Sequence, residues 1–227
     1  MAFYIYHHLG LGDHIICNGL VRELINNSEY EKFCLFAKIQ NHESVRFMFR
    51  DIKKLEIICV KNDMAVKKII RKIDKNNYIK IGHENLDNNN KYFDQDFYRI
   101  AKINFSKRWS SFKVIRDKNR EDALFNRLEL ESFKYVFVHD DHFRNFRINE
   151  KFINNKNLRI VRPFITPIIF DWCKVLEEAS ELHCVDSSFR LIADSLELKT
   201  KNLFFHYSYI SKDTKFISSS KYNWIIL

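Results

Sequence analysis

The chain has 227 residues, 46% of them hydrophobic, and 38 lysines and arginines against 29 aspartates and glutamates give a formal charge of +9. That composition excludes a disordered or fibrous chain, and no apolar run approaches the roughly 20 residues of a bilayer-crossing helix. The charge favours anionic partners without choosing among nucleotides, nucleic acid and lipid headgroups.

Phe3 to Tyr6 is a run of bulky residues, Gly10 and Gly12 interrupt it, and Ile15, Ile16, Leu20 and Leu24 return at helical spacing. A strand, a tight glycine loop and a helix are predicted. Without Cβ atoms, Gly10 and Gly12 let the backbone approach a ligand, and the first amides of the helix point at it. Such a loop seats an anionic or sugar-like group, although a plain packing turn has the same pattern.

Strands are predicted at Lys32 to Ile39, Leu55 to Val60 and Tyr78 to Ile81, with a helix from His42 to Phe49 and another capped by Asp63. The asparagine-rich stretch from His83 to Phe97 reads as a loop, and a helical pattern resumes from Phe97 to about Arg108. Arg120 to Leu130 is a helix candidate. The second half repeats the alternation: strands at Tyr135 to Val138, Leu158 to Val161, Glu181 to Val185 and Asn202 to about Tyr209, with helices at Ile169 to Ala179 and after Ser188. The terminal KYNWIIL is a strand or a packed tail. Single helices between short buried strands imply an α/β fold of two Rossmann-like lobes, 1–115 and 116–227, with parallel sheets flanked by helices and a cleft between the lobes.

Five cysteines, Cys17, Cys34, Cys59, Cys173 and Cys184, lie far apart in apolar runs with no C-x-x-C pair. Reduced, buried thiols follow, and with no leader-like start the protein is expected to be cytoplasmic, touching membranes at most peripherally.

Three loops carry the candidate chemistry. Asp13 and His14 open the first helix; Asp13 is either a cap or a general base accepting a hydroxyl proton, with His14 as the fallback base. The run VHDDHFRNFR, starting at Val138, invites a metal reading, but adjacent ligands on one loop rarely converge. A phosphate-facing loop fits it better, with His139 and Asp141 beside Arg144 or Arg147 bonding a diphosphate. Asp186, Ser187 and Ser188 form a second helix start whose amides and hydroxyls suit a pyrophosphate.

The opening GLGDHI resembles the glycine loop of GT-B glycosyltransferases of the heptosyltransferase type (glycosyltransferase family 9-like). ASELHCVDSSFRLIADSL resembles their donor motif, with the Asp-Ser-Ser-Phe of fucosyltransferase-like members. Ser188 stands where the heptosyltransferase group has glycine, and Leu191 where it has histidine. The resemblance implies a transferase that needs no metal or other cofactor and uses a nucleotide-diphosphate sugar as co-substrate. It puts the saccharide or glycolipid acceptor on the N-lobe and the donor on the C-lobe, with Asp13 as base and Ser187 and Ser188 at the donor phosphates; the chemistry of the loops themselves adds Gly10, Gly12, His139, Asp141, Arg144 and Asp186 to the donor set. The rivals are a non-catalytic two-lobe binder of nucleotides or sugars and, against the dispersed basic residues, a nucleic-acid-binding protein.

Overall fold

The computed structural model describes residues 1–83, 86–87, 92–142, 145–153, 157–207 and 217–227. The chain divides into two compact units, Met1–Ile115 and Arg116–Leu227.

In the first unit, strand β1 (Ala2–Tyr6) runs into helices α1 (Leu11–Ile16) and α2 (Asn18–Asn26). Then come β2 (Lys32–Lys38), α3 (His42–Met48), β3 (Leu55–Val60), α4 (Asp63–Ile70) and β4 (Tyr78–Lys80), followed by α5 (Phe93–Ile100) and α6 (Lys107–Ser110). The strands pair in the order β3-β2-β1-β4, every pair parallel. On one side of the sheet Tyr6, Leu9 and Phe36 pack with Val60 and with Val66 and Ile70 of α4. Burying each such large side chain stabilises the fold by about 1.5–3 kcal/mol.

In the second unit, α7 (Lys118–Arg127) precedes β5 (Tyr135–His139). The chain continues through β6 (Arg159–Val161), α8 (Cys173–Glu178), β7 (Glu181–Cys184), α9 (Ser188–Ala193), β8 (Leu203–Phe205) and β9 (Ile225–Ile226). The order is β6-β5-β7-β8-β9, again all parallel. One face buries Val136, Val138 and Val185 under Ile148 and Ile153 of the irregular β5–β6 connection, while Phe137 packs against Trp172 and Phe189.

In each sheet the chain order reverses beside the first strand, between β1 and β4 and between β5 and β7. Open parallel sheets leave a crevice there, beyond the carboxyl ends of the strands.

Several elements depart from expectation. Asn62, not Asp63, caps α4: its side chain accepts the Ala65 N–H, while Asp63 receives the Tyr6 hydroxyl. The helix expected from Phe97 begins at Phe93 and breaks after Ile100, where Lys102 takes a positive φ of 56°. The helix expected from Ile169 starts as a 3-10 turn, Ile169–Trp172. Cys59, on the edge strand β3, is exposed; the other four cysteines are buried, and all five are free thiols. Among the described residues no helix is long and apolar enough to cross a membrane.

Candidate functional site

At the carboxyl end of the first sheet, β1 runs out through His7, His8 and Leu9 to Gly10, which is extended (φ −69°, ψ 147°) and starts α1. Asp13 lies in the first turn and folds back, so that a Cβ on Gly10 would stand 2.5 Å from its Oδ2. Glycine is required there for the carboxylate to keep this pose. The side chain of Asp13 is 21% exposed, with Oδ1 3.9 Å from Nδ1 of His8. Free amides and the helix dipole favour the charged carboxylate at this position.

His8 is oriented from β4. Its Nε2 accepts the backbone N–H of His83 at 2.8 Å, so its single proton sits on Nδ1, facing Asp13. Burial, with the His83 ring beside it, pushes the His8 pKa down to about 4, which keeps the ring neutral. Gly82 permits this approach: at φ 80° its missing Cβ leaves room for His8 Nε2 and the Phe97 ring.

His14 is 0% exposed, with its ring edge-to-face against His7 at 4.5 Å. Burial holds its pKa well below the usual histidine value. The fallback-base role therefore does not fit His14, which has no solvent face through which to meet an acceptor. Among the described residues neither of its ring nitrogens has a partner, nor does Nε2 of His7.

The second sheet gathers a different set. His139 ends β5 against the Phe189 ring, its Nδ1 buried and unpartnered among the described residues; burial pushes its pKa down to about 4. Asp141 forms an antiparallel bridge with Phe146, which closes a narrow loop, and Arg144 falls outside the described residues. The better anchored carboxylate is its neighbour: buried Asp140 accepts the Ile148 N–H at 2.8 Å and Arg162 Nε at 2.9 Å. Arg162 also pairs with Glu150 at 3.2 Å, and its buried Nη2 has no partner among the described residues.

The carboxylate of Asp186 is taken up within the fold by the Nε and Nη2 of buried Arg190, at 3.2 and 2.8 Å, and by the Ser218 hydroxyl. Arg190 also reaches Asp194 at 3.1 Å. Ser187 caps α9, its hydroxyl accepting the Arg190 N–H at 3.5 Å. Ser187 and Ser188 thus remain at the strand end, while Asp186 holds the turn in place.

One buried polar row was not among the predicted site residues. On β7, Glu181 and His183 are two residues apart and share a face; His183 Nε2 lies 2.6 Å from Glu181 Oε1, and its Nδ1 lies 2.8 Å from Nε2 of His206. His206 follows β8, its own N–H bonded to the Cys184 carbonyl.

A pocket of about 830 Å³ in the first unit lies elsewhere, lined by Arg22, Asp51, Lys53, Lys54, Ser111 and Lys113 among others. It opens near the amino ends of β2 and β3 and holds none of the predicted residues.

No protein-family model matches the chain, and no curated protein matches its sequence. Solved structures do. A glycosyl transferase family 9 protein from Veillonella parvula superposes with a TM-score of 0.62 at 10% identity, over 99% of this chain and 85% of its own. The ADP-heptose lipopolysaccharide heptosyltransferase II of E. coli gives 0.57 at 9% identity, over 91% and 85%. The iron-containing dodecameric glycosyltransferase TibC of enterotoxigenic E. coli gives 0.58 at 8% identity, over 98% and 63%. The likeness shows the fold, an α/β chain of GT-B type with two parallel sheets flanked by helices. One of these relatives contains iron; among the described residues here, no three or more His, Cys, Asp and Glu side chains are grouped to hold a metal ion.

Proposed function

We propose that the chain is a glycosyltransferase that moves a sugar from a nucleotide-diphosphate donor to a hydroxyl of a saccharide or glycolipid acceptor, in surface glycan synthesis and without a metal. The acceptor binds on the first unit and the donor on the second. Free thiols fit a cytoplasmic setting with at most peripheral membrane contact. The observation that carries the reading is the Asp13 carboxylate, held at a helix start beside neutral His8 at the switch point of the first sheet, in a chain whose whole length follows the GT-B fold.

In the reaction, the acceptor hydroxyl passes its proton to Asp13 as its oxygen bonds to the anomeric carbon. The bond from that carbon to the diphosphate oxygen breaks, and the electron pair leaves with the diphosphate. Negative charge grows on the leaving group, so the donors that matter are those already in place there: the amides and hydroxyls at Ser187 and Ser188, and Arg162. His139, Asp141 and, by its sequence position alone, Arg144 complete the donor set, with Gly10 giving room at the loop and Gly12 in the first turn of α1.

A thermal-shift screen over nucleoside diphosphates and their sugars, followed by a transfer assay with the preferred donor, tests the proposal. A melting temperature that rises with one nucleotide sugar and glycosyl transfer from it are expected. Donor binding with neither transfer nor hydrolysis across saccharide acceptors would leave a binding protein instead.

A further inference from the structure

The buried row on β7 and β8 has no part in that mechanism as derived, and this inference rests on the second unit being the diphosphate side. We infer that Glu181, His183 and His206 form a one-proton store: His206 takes a proton at Nδ1 when a diphosphate docks at the carboxyl ends of β5 to β8, and Glu181 supplies the balancing charge.

With both rings neutral, the hydrogen count fixes their tautomers. Glu181 as a carboxylate only accepts, so the 2.6 Å contact requires a proton on His183 Nε2. Neutral His183 then has a lone pair on Nδ1, and the 2.8 Å contact requires His206 to donate from Nε2. His206 is left with a lone pair on Nδ1, for which the described residues supply no hydrogen-bond partner. His183 is 0% exposed and stacks on Phe204, with ring centroids 4.6 Å apart, while His206, itself buried, meets its edge, so neither imidazole turns over without unpacking the sheet face.

Both rings are neutral at rest. Burial lowers the His183 pKa, and burial with His183 beside it pushes His206 down to about 4. The titratable groups that act on His206 are His183 from β7 and Asp140 from the end of β5; Arg162 from the end of β6 neutralises Asp140, and Glu181 lies across His183. Phe152 packs on the ring from the covering segment, whose charges are Glu150 and Lys151. An anion at the buried, unpartnered Nη2 of Arg162 adds negative charge at this sheet end. That favours an imidazolium at His206, whose charge is shared along the row towards Glu181. The proton comes from solvent and no other bond breaks. In this scheme His206 answers the charge of the ligand, while Glu181 and His183 are positioning residues.

Calorimetric titration of the full chain with inorganic pyrophosphate at pH 6, in two buffers of different ionisation enthalpy, reads the proton directly. His206→Asn serves as reference, so the protons of pyrophosphate itself cancel. Close to one extra proton taken up by the wild type, abolished in Glu181→Gln, is expected, with the affinity ratio of wild type to His206→Asn growing about tenfold from pH 8 to pH 6. Histidine ¹⁵N spectra of the ligand-free protein, expected to show the Nε2–H form at both His183 and His206, test the row without ligand. Binding with no extra proton, or an Nδ1–H form at His206, overturns the inference and leaves the transferase reading standing. Failure of pyrophosphate and of every nucleoside diphosphate to bind overturns both.

Discussion

The two sheets differ in the balance of neutral rings and fixed ions at equivalent ends. Beyond β1 and β4 stand Asp13, the Lys38–Asp63 ion pair and four imidazoles, His7, His8, His14 and His83, the first three pushed towards the neutral form by burial. Beyond β5 to β8, burial pushes His139 and His206 towards the neutral form too, but most of the charges are locked in pairs: Asp140 on Arg162, and Asp186 and Asp194 on Arg190. Neutral rings beside the Asp13 carboxylate suit a hydroxyl that must lose a proton. A mouth of fixed ions suits a ligand that arrives charged, because fixed dipoles and ions need no reorganisation when it binds.

The sharpest way to break this contrast is Asp13→Asn. It is expected to lower turnover by about 10²–10⁴-fold while leaving pyrophosphate and nucleoside diphosphate affinity unchanged; equal losses in both would place Asp13 on the donor side. Arg190→Met attacks the other unit. Removing the cation leaves Asp186 and Asp194 without their shared partner inside the fold, and a loss of about 3–5 kcal/mol in denaturant unfolding is expected.

Acid separates neutral rings from fixed ions. His7, with a folded pKa of about 4, takes up its proton in the unfolded chain first as the pH drops below the ordinary 6.5. Its contribution to stability is therefore complete above pH 6.5 and is lost as the pH falls from 6.5 to 4, on the order of 2 kcal/mol at pH 5. A melting temperature that stays flat from pH 7.5 to 5 would mean that the ring takes up its proton alike in the folded and unfolded chain. The smallest effect is expected from Ser187→Ala, about 0.5 kcal/mol, since its capping bond is long at 3.5 Å.

The strands were legible in the sequence because each is an apolar run bounded by polar or glycine residues, and β1 to β8 lie where those runs predict. The start of α5 was hidden because the asparagines before Tyr92 mask the helical spacing of Phe93 and Phe97. At the site, Gly10 and Asp13 were visible through the glycine loop. Asp140 was not told from Asp141, since adjacency on a loop does not say which carboxylate turns inward. Arg162 and His206 were missed because each is a single polar residue just past a strand, and their importance depends on strands far apart in sequence lying side by side. A signal did exist for the row on β7: Glu181 and His183 alternate with Leu182 and Cys184, marking one face as polar. Only the packing shows that this face is buried rather than wet.

Among the described residues every strand pair is parallel, so no hairpin joins neighbouring strands of either sheet there, and each pairing closes a long loop. β1 shows the consequence during synthesis. One of its edges is taken by β2, but the other matches Tyr4 to Tyr78 and stays open until some seventy further residues have left the ribosome. For that interval the nascent chain carries a bare apolar strand edge, the kind of surface that aggregation exploits and chaperones cover.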